Sequence, residues 1–135
     1  MDRINEQGRL ITISFFGTAS ASSTKTLVSK KIGVPFITRK IRQSYAPGVN
    51  RTMTTKFIIS PDDAAPTTEE PSGVNILAQT GQVSYITGDD EIKEFSQETE
   101  ITESNKYIKV YAENDDTFDH TIDVQITLEL LPRIE

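Results

Sequence analysis

The eleven residues "HTIDVQITLEL", His120–Leu130, alternate apolar and polar side chains without a slip. Successive side chains on an extended strand point to opposite faces, so this stretch is a strand with one apolar and one wet side. Wound into a helix, the same residues would scatter their apolar groups around the axis. The inner row would be His120, Ile122, Val124, Ile126, Leu128 and Leu130. A lone sheet would leave that row in water, so a second layer of extended chain has to cover it. "YIKVYAEN" is the obvious companion, with Ile108, Val110 and Ala112 on one face and Tyr107, Lys109 and Tyr111 on the other. The Asn- and Asp-rich "NDDTFD" between the two predicts a hairpin with a long loop.

The rest of the chain agrees with an all-β reading. Ile, Val and Thr number 40, against 15 for Leu, Ala and Met together. Branching at Cβ restricts a side chain in a helix and packs well on a pleated surface. A length of 135 residues suits one core, and there is no cysteine to staple it. "RLITISFF" predicts a first strand with Ile11, Ile13 and Phe15 on one side. The small, hydroxyl-rich "GTASASSTKT" after it reads as a connector. Residues 1–24 are therefore expected to be a strand and a mobile tether, and 25–135 the sandwich domain. On that expectation, deleting 1–24 would spare the fold.

"TLVSKKIGVPFITRKIRQSY" predicts one or two strands, with Pro35 at a start or an edge. Strict alternation there puts Ile37, Arg39 and Ile41 on one face and Thr38, Lys40 and Arg42 on the other. Pro47-Gly48 marks a turn, and "TMTTKFIIS" a strand with Met53, Phe57 and Ile59 in phase. "PDDAAPTTEEPSG" predicts an exposed loop, and "VNILAQTGQVSYITGDD" two short strands about Thr80-Gly81. "EIKEFSQETEIT" predicts a further strand. Eight or nine strands at this spacing give a two-sheet antiparallel sandwich of jelly-roll or related Greek-key type.

Charge is segregated along the chain. Between Gln7 and Pro61 there are nine bases and no acid; from Asp62 to Glu135 there are eighteen acids and four bases. Basic strands could pair beside acidic ones within one sheet. Alternatively, opposite faces of the folded unit carry opposite charge and dock onto identical copies. On the second reading the candidate contact residues are Ile11, Ile13 and Phe15 of the first strand, with Arg39, Lys40 and Arg42.

Few residues invite chemistry. His120 is the one histidine, and neither a cysteine nor a Gly-x-Ser-x-Gly elbow offers it a nucleophile. It is expected at the rim of the core, bonded to the adjacent loop. One histidine cannot build a multi-histidine metal site. The doublets Asp62-Asp63, Asp89-Asp90 and Asp115-Asp116 could attract calcium, but Asp is also a favoured turn former, and no EF-hand spacing is present. Tyr107 and Tyr111, four residues apart on one strand face, are the one candidate platform for a sugar ring. With eighteen acids in the second half, a carboxylate pair suited to glycoside hydrolysis carries no specificity. The basic "KKIGVPFITRKIRQSY" suggests nucleic acid, which a pI of about 4.8 opposes. No catalytic, cofactor or metal residue is therefore assigned, and an enzyme is not expected. "MDRINEQGRL" lacks the apolar run of a secretory signal, and nothing is long enough to span a bilayer. Synthesis in the cytosol is the expectation.

"MTTKFIISPDD", "GVNILAQTGQVSYITGDDE" and "YIKVYAENDDTFDHTIDVQITLEL" resemble, over residues 30–131, the strand-turn pattern of single-sandwich capsid accessory proteins of tailed bacteriophages. That resemblance implies a jelly-roll-like unit in a virion, forming symmetric homo-oligomers on a capsid or tail, with the major capsid protein as a possible partner. It implies no catalytic role, no cofactor and no membrane. A glycan- or receptor-binding module is the alternative.

Overall fold

The computed structural model describes residues 9–66, 69–79 and 84–131. Eight strands run in chain order as β1 (Arg9–Ala19), β2 (Ser23–Val28), β3 (Phe36–Tyr45), β4 (Met53–Ser60), β5 (Val74–Asn75), β6 (Glu91–Ile101), β7 (Tyr107–Asn114) and β8 (His120–Leu130). One helical turn, α1, occupies Ile76–Gln79. The strands form two four-stranded sheets, in the orders β1-β8-β3-β6 and β2-β7-β4-β5. Every pairing is antiparallel. First pairs with last, second with second-last, third with sixth and fourth with fifth, which is the winding of a jelly roll. No helix among the described residues is long and apolar enough to cross a membrane.

The expected inner row of β8 is the centre of the core. Ile122, Val124, Ile126 and Leu128 are fully buried, and they meet Ile108, Val110 and Ala112 of the opposite sheet. Those β7 residues therefore cover β8 from across the core and do not pair beside it. "NDDTFD" is a crossover between sheets, so the expected hairpin is absent. In this winding every consecutive pair except β4–β5 changes sheet.

The first strand is built into the sandwich. β1 pairs with β8 along its whole length, from Arg9 opposite Leu130 to Ala19 opposite His120. The stretch read as a tether, Gly17–Thr26, completes β1, turns at residues 20–22 and begins β2. Ser22 takes a positive φ of 53° in that corner, and its backbone N–H donates to the Asp116 carbonyl. Small hydroxylated residues serve a tight corner as readily as a flexible linker, and composition cannot separate the two. The boundary drawn after residue 24 falls inside β2.

β3 carries a bulge between Thr38 and Lys40. One extra residue lets Phe36 and Thr38 point inward before it and Ile41, Gln43 and Tyr45 after it. Ile37 and Arg39 therefore lie on the outer face with Lys40 and Arg42, which corrects the strict alternation expected there. Beneath the bulge sits a buried polar cluster. Thr38 Oγ1 donates to Gln97 Oε1 at 2.7 Å, and Gln97 Nε2 donates to the Ile76 carbonyl at 2.9 Å.

Both faces of the second sheet are covered where the loop at 61–73 crosses it. Thr26, Tyr111 and Lys56 stand side by side on its outer surface. Thr26 Oγ1 donates to the Pro66 carbonyl at 2.8 Å, and Lys56 Nζ reaches Glu70 at 2.7 Å. Lys109, on the same face, is fully buried and bonds Asp62 at 2.7 Å. Ile58 also points outward and is buried. Gly73 is tight against this strand: at φ 137°, an added Cβ would lie 2.3 Å from the Ile59 carbonyl oxygen. The region expected to form two short strands about Thr80-Gly81 instead yields β5 and α1, with Asn75 Oδ1 accepting from the Leu77 N–H at 3.0 Å. Thr80 and Gly81 themselves lie outside the described residues.

Candidate interaction surface

The six proposed contact residues fall into two groups separated by β8. On β1, the edge strand of its sheet, Ile11 and Ile13 are half-buried and Phe15 is buried. These three point inward, at the floor and wall of an open groove of about 550 Å³ beside the strand. Its far wall is residues 28–34, including Lys30 and Lys31, and Leu130 closes one end. On the outward side of the same strand, Leu10 is 64% and Phe16 73% exposed. They stand toward opposite ends of the strand, with Thr12 and Ser14 between them on the same outward face.

The basic residues of β3 are answered inside their own sheet. Arg39 pairs with Glu98 of β6 and Glu129 of β8, while Lys40 meets Glu94 at 3.0 Å. Arg42 lies 3.8 Å from Glu94 and donates to Gln125 at 3.0 Å. A basic strand thus sits between two acidic ones, and much of the segregated charge cancels locally. Arg39, Lys40 and Arg42 are partly occupied before any partner arrives.

His120 is at the rim of the core, as expected. Its Nε2 donates to Asp116 Oδ2 at 2.8 Å, and the side chain is nearly enclosed. The acidic doublets organise turns. Asp89 Oδ1 accepts from the backbone N–H groups of Gly48 and Asn50 at 3.1 and 2.8 Å, and Asp62 Oδ1 accepts from that of Ala64 at 3.0 Å. No group of three or more metal-ligating side chains converges among the described residues. The tyrosine platform fails on geometry: Tyr111 is only 5% exposed beneath the 61–73 loop.

Two carboxyls lead to an expected acid sensitivity. The Lys109 ammonium, with the Ala64 N–H, holds Asp62 below the usual 3.8, and the His120 bond does the same for Asp116. A carboxyl depressed in the folded state contributes stability that is fully present above its unfolded value and is lost as pH falls through the folded value. The melting temperature should therefore drop as pH is taken below about 4. Asp62→Asn should start lower at neutral pH, because it leaves the Lys109 ammonium without its counter-charge, and should lose less on acidification. Parallel pH curves for the two proteins would contradict this.

No protein-family model matches the chain, and no curated protein matches it in sequence. Solved structures share its fold. VP2 of infectious bursal disease virus, in its subviral particle, superimposes with a TM-score of 0.52 at 12% identity over 90% of this chain. The chain spans 33% of that protein. A chain of the cyanophage Pam1 capsid gives a TM-score of 0.47 at 15% identity, covering 96% of this chain and 91% of the other. A Bacillus endospore appendage protein gives 0.48 at 9% identity, covering 98% and 96%. At these identities the likeness is one of fold. The chain is an antiparallel jelly-roll β-sandwich, a fold it shares with VP2 of infectious bursal disease virus.

Proposed function

We propose that this chain is a non-enzymatic structural component of a virus particle, built to associate with copies of itself. Residence in the particle, a place on the capsid of a tailed bacteriophage and a decorating or cementing role belong to the same reading. The observation that carries it is the exposed edge of β1, where Leu10 and Phe16 face water beside a basic-lipped groove. The jelly-roll winding supports it, since VP2 of infectious bursal disease virus uses such a fold in a particle. Fold alone hosts many functions, so the weight rests on the edge. Two edges on one sheet let identical units meet by repetition, and each meeting removes apolar surface from water.

Sedimentation and negative-stain electron microscopy of the purified chain test the proposal. Rings, discrete oligomers or shells are expected at low salt. A single monomeric species at high protein concentration and low salt would remove the proposal.

A further inference from the structure

The loop that crosses the second sheet hides a charge. Lys109 points away from the core, between Val28 of β2 and Ile58 of β4, yet its side chain is fully buried. Among the described residues its one charged partner is Asp62 of the loop, at 2.7 Å, and that carboxylate is itself half exposed. The other charged groups of this face form a separate set: Lys56 of β4 meets Glu70 of the loop at 2.7 Å, near Glu113 of β7. β2 brings Thr24, Thr26 and Val28 to the same face and no charge. Lys56 keeps its own access to water, so protonating Glu70 strands no cation, whereas protonating Asp62 strands Lys109.

The arm that carries Asp62 holds on by little else. Residues 61–65 are exposed and Pro66 is half-buried. Thr26 supplies one hydrogen bond, to the Pro66 carbonyl. None of residues 61–66 belongs to the hydrophobic core, which lies on the opposite side of the sheet. Lifting the arm therefore leaves the packing of sheet on sheet intact, and local opening of this kind costs less than global unfolding. Taking the charge from one partner of a buried pair is far more damaging than taking it from both, because the remaining ion is left without an answer. The core closes one side of β7, so water reaches the Lys109 ammonium by way of the arm.

We infer that residues 61–66 are an acid-released strap, latched by Asp62 on Lys109, which lifts from the outer face of the second sheet before the sandwich itself unfolds. Neutral pH conceals, and acid presents, a face on which Lys56 and Lys109 flank Ile58 and Tyr111. The Lys109 bond and the Ala64 N–H hold the Asp62 carboxyl below its usual 3.8. The latch is therefore at full strength above that value and is lost as pH falls toward the lower, closed-state one.

Hydroxyl-radical footprinting read by mass spectrometry tests the strap in the full-length chain, with circular dichroism as a folding check. Tyr111 reports the covered face, and Phe36 and Phe57, both fully buried, report the core. In the parent, oxidation of Tyr111 should rise by up to about tenfold per pH unit as pH falls below 3.8, while both phenylalanines stay protected. Asp62→Asn leaves the ammonium facing an amide, so its Tyr111 should be oxidised readily at pH 7. Lys109→Met, alone or combined with Asp62→Asn, leaves no buried charge, so Tyr111 should stay protected at both pH 7 and pH 3. Loss of core protection in step with Tyr111 overturns the inference, because the sandwich then melts as one unit. A Lys109→Met strap that opens as far as that of Asp62→Asn overturns it as well, since a lost bond and not a stranded charge would then be the cause. Should Lys109→Met fail to fold, the parent's contrast between Tyr111 and the core phenylalanines still decides.

Discussion

Removal of residues 1–24 will leave no folded sandwich. The sequence suggests the opposite, because ten small residues separate the first strand from the rest, but the structure pairs β1 with β8 across all eleven positions. Deletion takes away Phe15, buried to 4% exposure, fully buried Ala19, and the half-buried Ile11 and Ile13. Burying one such large apolar side chain is worth about 1.5–3 kcal/mol. Several lost together rival the whole stability of a typical domain, about 5–15 kcal/mol. The damage extends further, since β8 becomes an edge and its central row loses cover on one side. Circular dichroism and urea titration should find an unfolded or aggregating chain. A truncated protein with an intact β spectrum and a cooperative melt would mean that β1 is an exchangeable arm, free to be supplied by a neighbour.

The second large effect is expected from one buried amide. Asn114, 1% exposed at the end of β7, donates through Nδ2 to the carbonyls of Ala19, Ser20 and Phe118 at 3.0, 3.2 and 2.8 Å. Its Oδ1 accepts from the Asp116 N–H at 2.9 Å. One side chain therefore joins the β1–β2 corner to the β7–β8 crossover, two connections about a hundred residues apart in the chain. Asn114→Ala removes all of these bonds and leaves a void, which should cost about 3 kcal/mol and lower the melting temperature by roughly 10 °C. Asn114→Asp keeps the acceptor and loses the donors, so it should not rescue the protein. A thermal melt of Asn114→Ala within 2–3 degrees of the parent would show that backbone pairing alone holds the corner.

Where the sequence was readable, one residue's position depended on its own strand. The alternation of β8 gave its inner row correctly, and the inner rows of β4 and β7 follow the same rule, whereas β6 turns Ile92 outward and buries Gln97. Reading failed where a residue's environment is set by chain far away. Lys109 and Tyr111 alternate as wet-face residues should, yet the 61–73 loop covers them, a contact no local pattern encodes. The bulge in β3 left a trace in retrospect: Phe36 and Ile41 are both core residues five apart, an odd spacing that demands one extra residue between them. Segregated charge admitted two readings, and only strand order could decide between them. β3 lies between β6 and β8, so its bases are met at home. As for the interaction surface, Ile11, Ile13 and Phe15 were chosen for their regular spacing, which marked the inward row. The outward pair Leu10 and Phe16 breaks the expected polarity of a wet face.

The loop laid over the second sheet gives this small sandwich a third layer on one side only. Residues such as Lys109 and Ile58, which a bare sheet would let drift freely among variants, become tied to the identity of Asp62, Pro66 and Gly73. Substitutions in a stretch that looks dispensable will therefore be felt in a strand interior. The uncovered sheet, by contrast, carries its outward side chains with no such loop tying their identity to a distant segment.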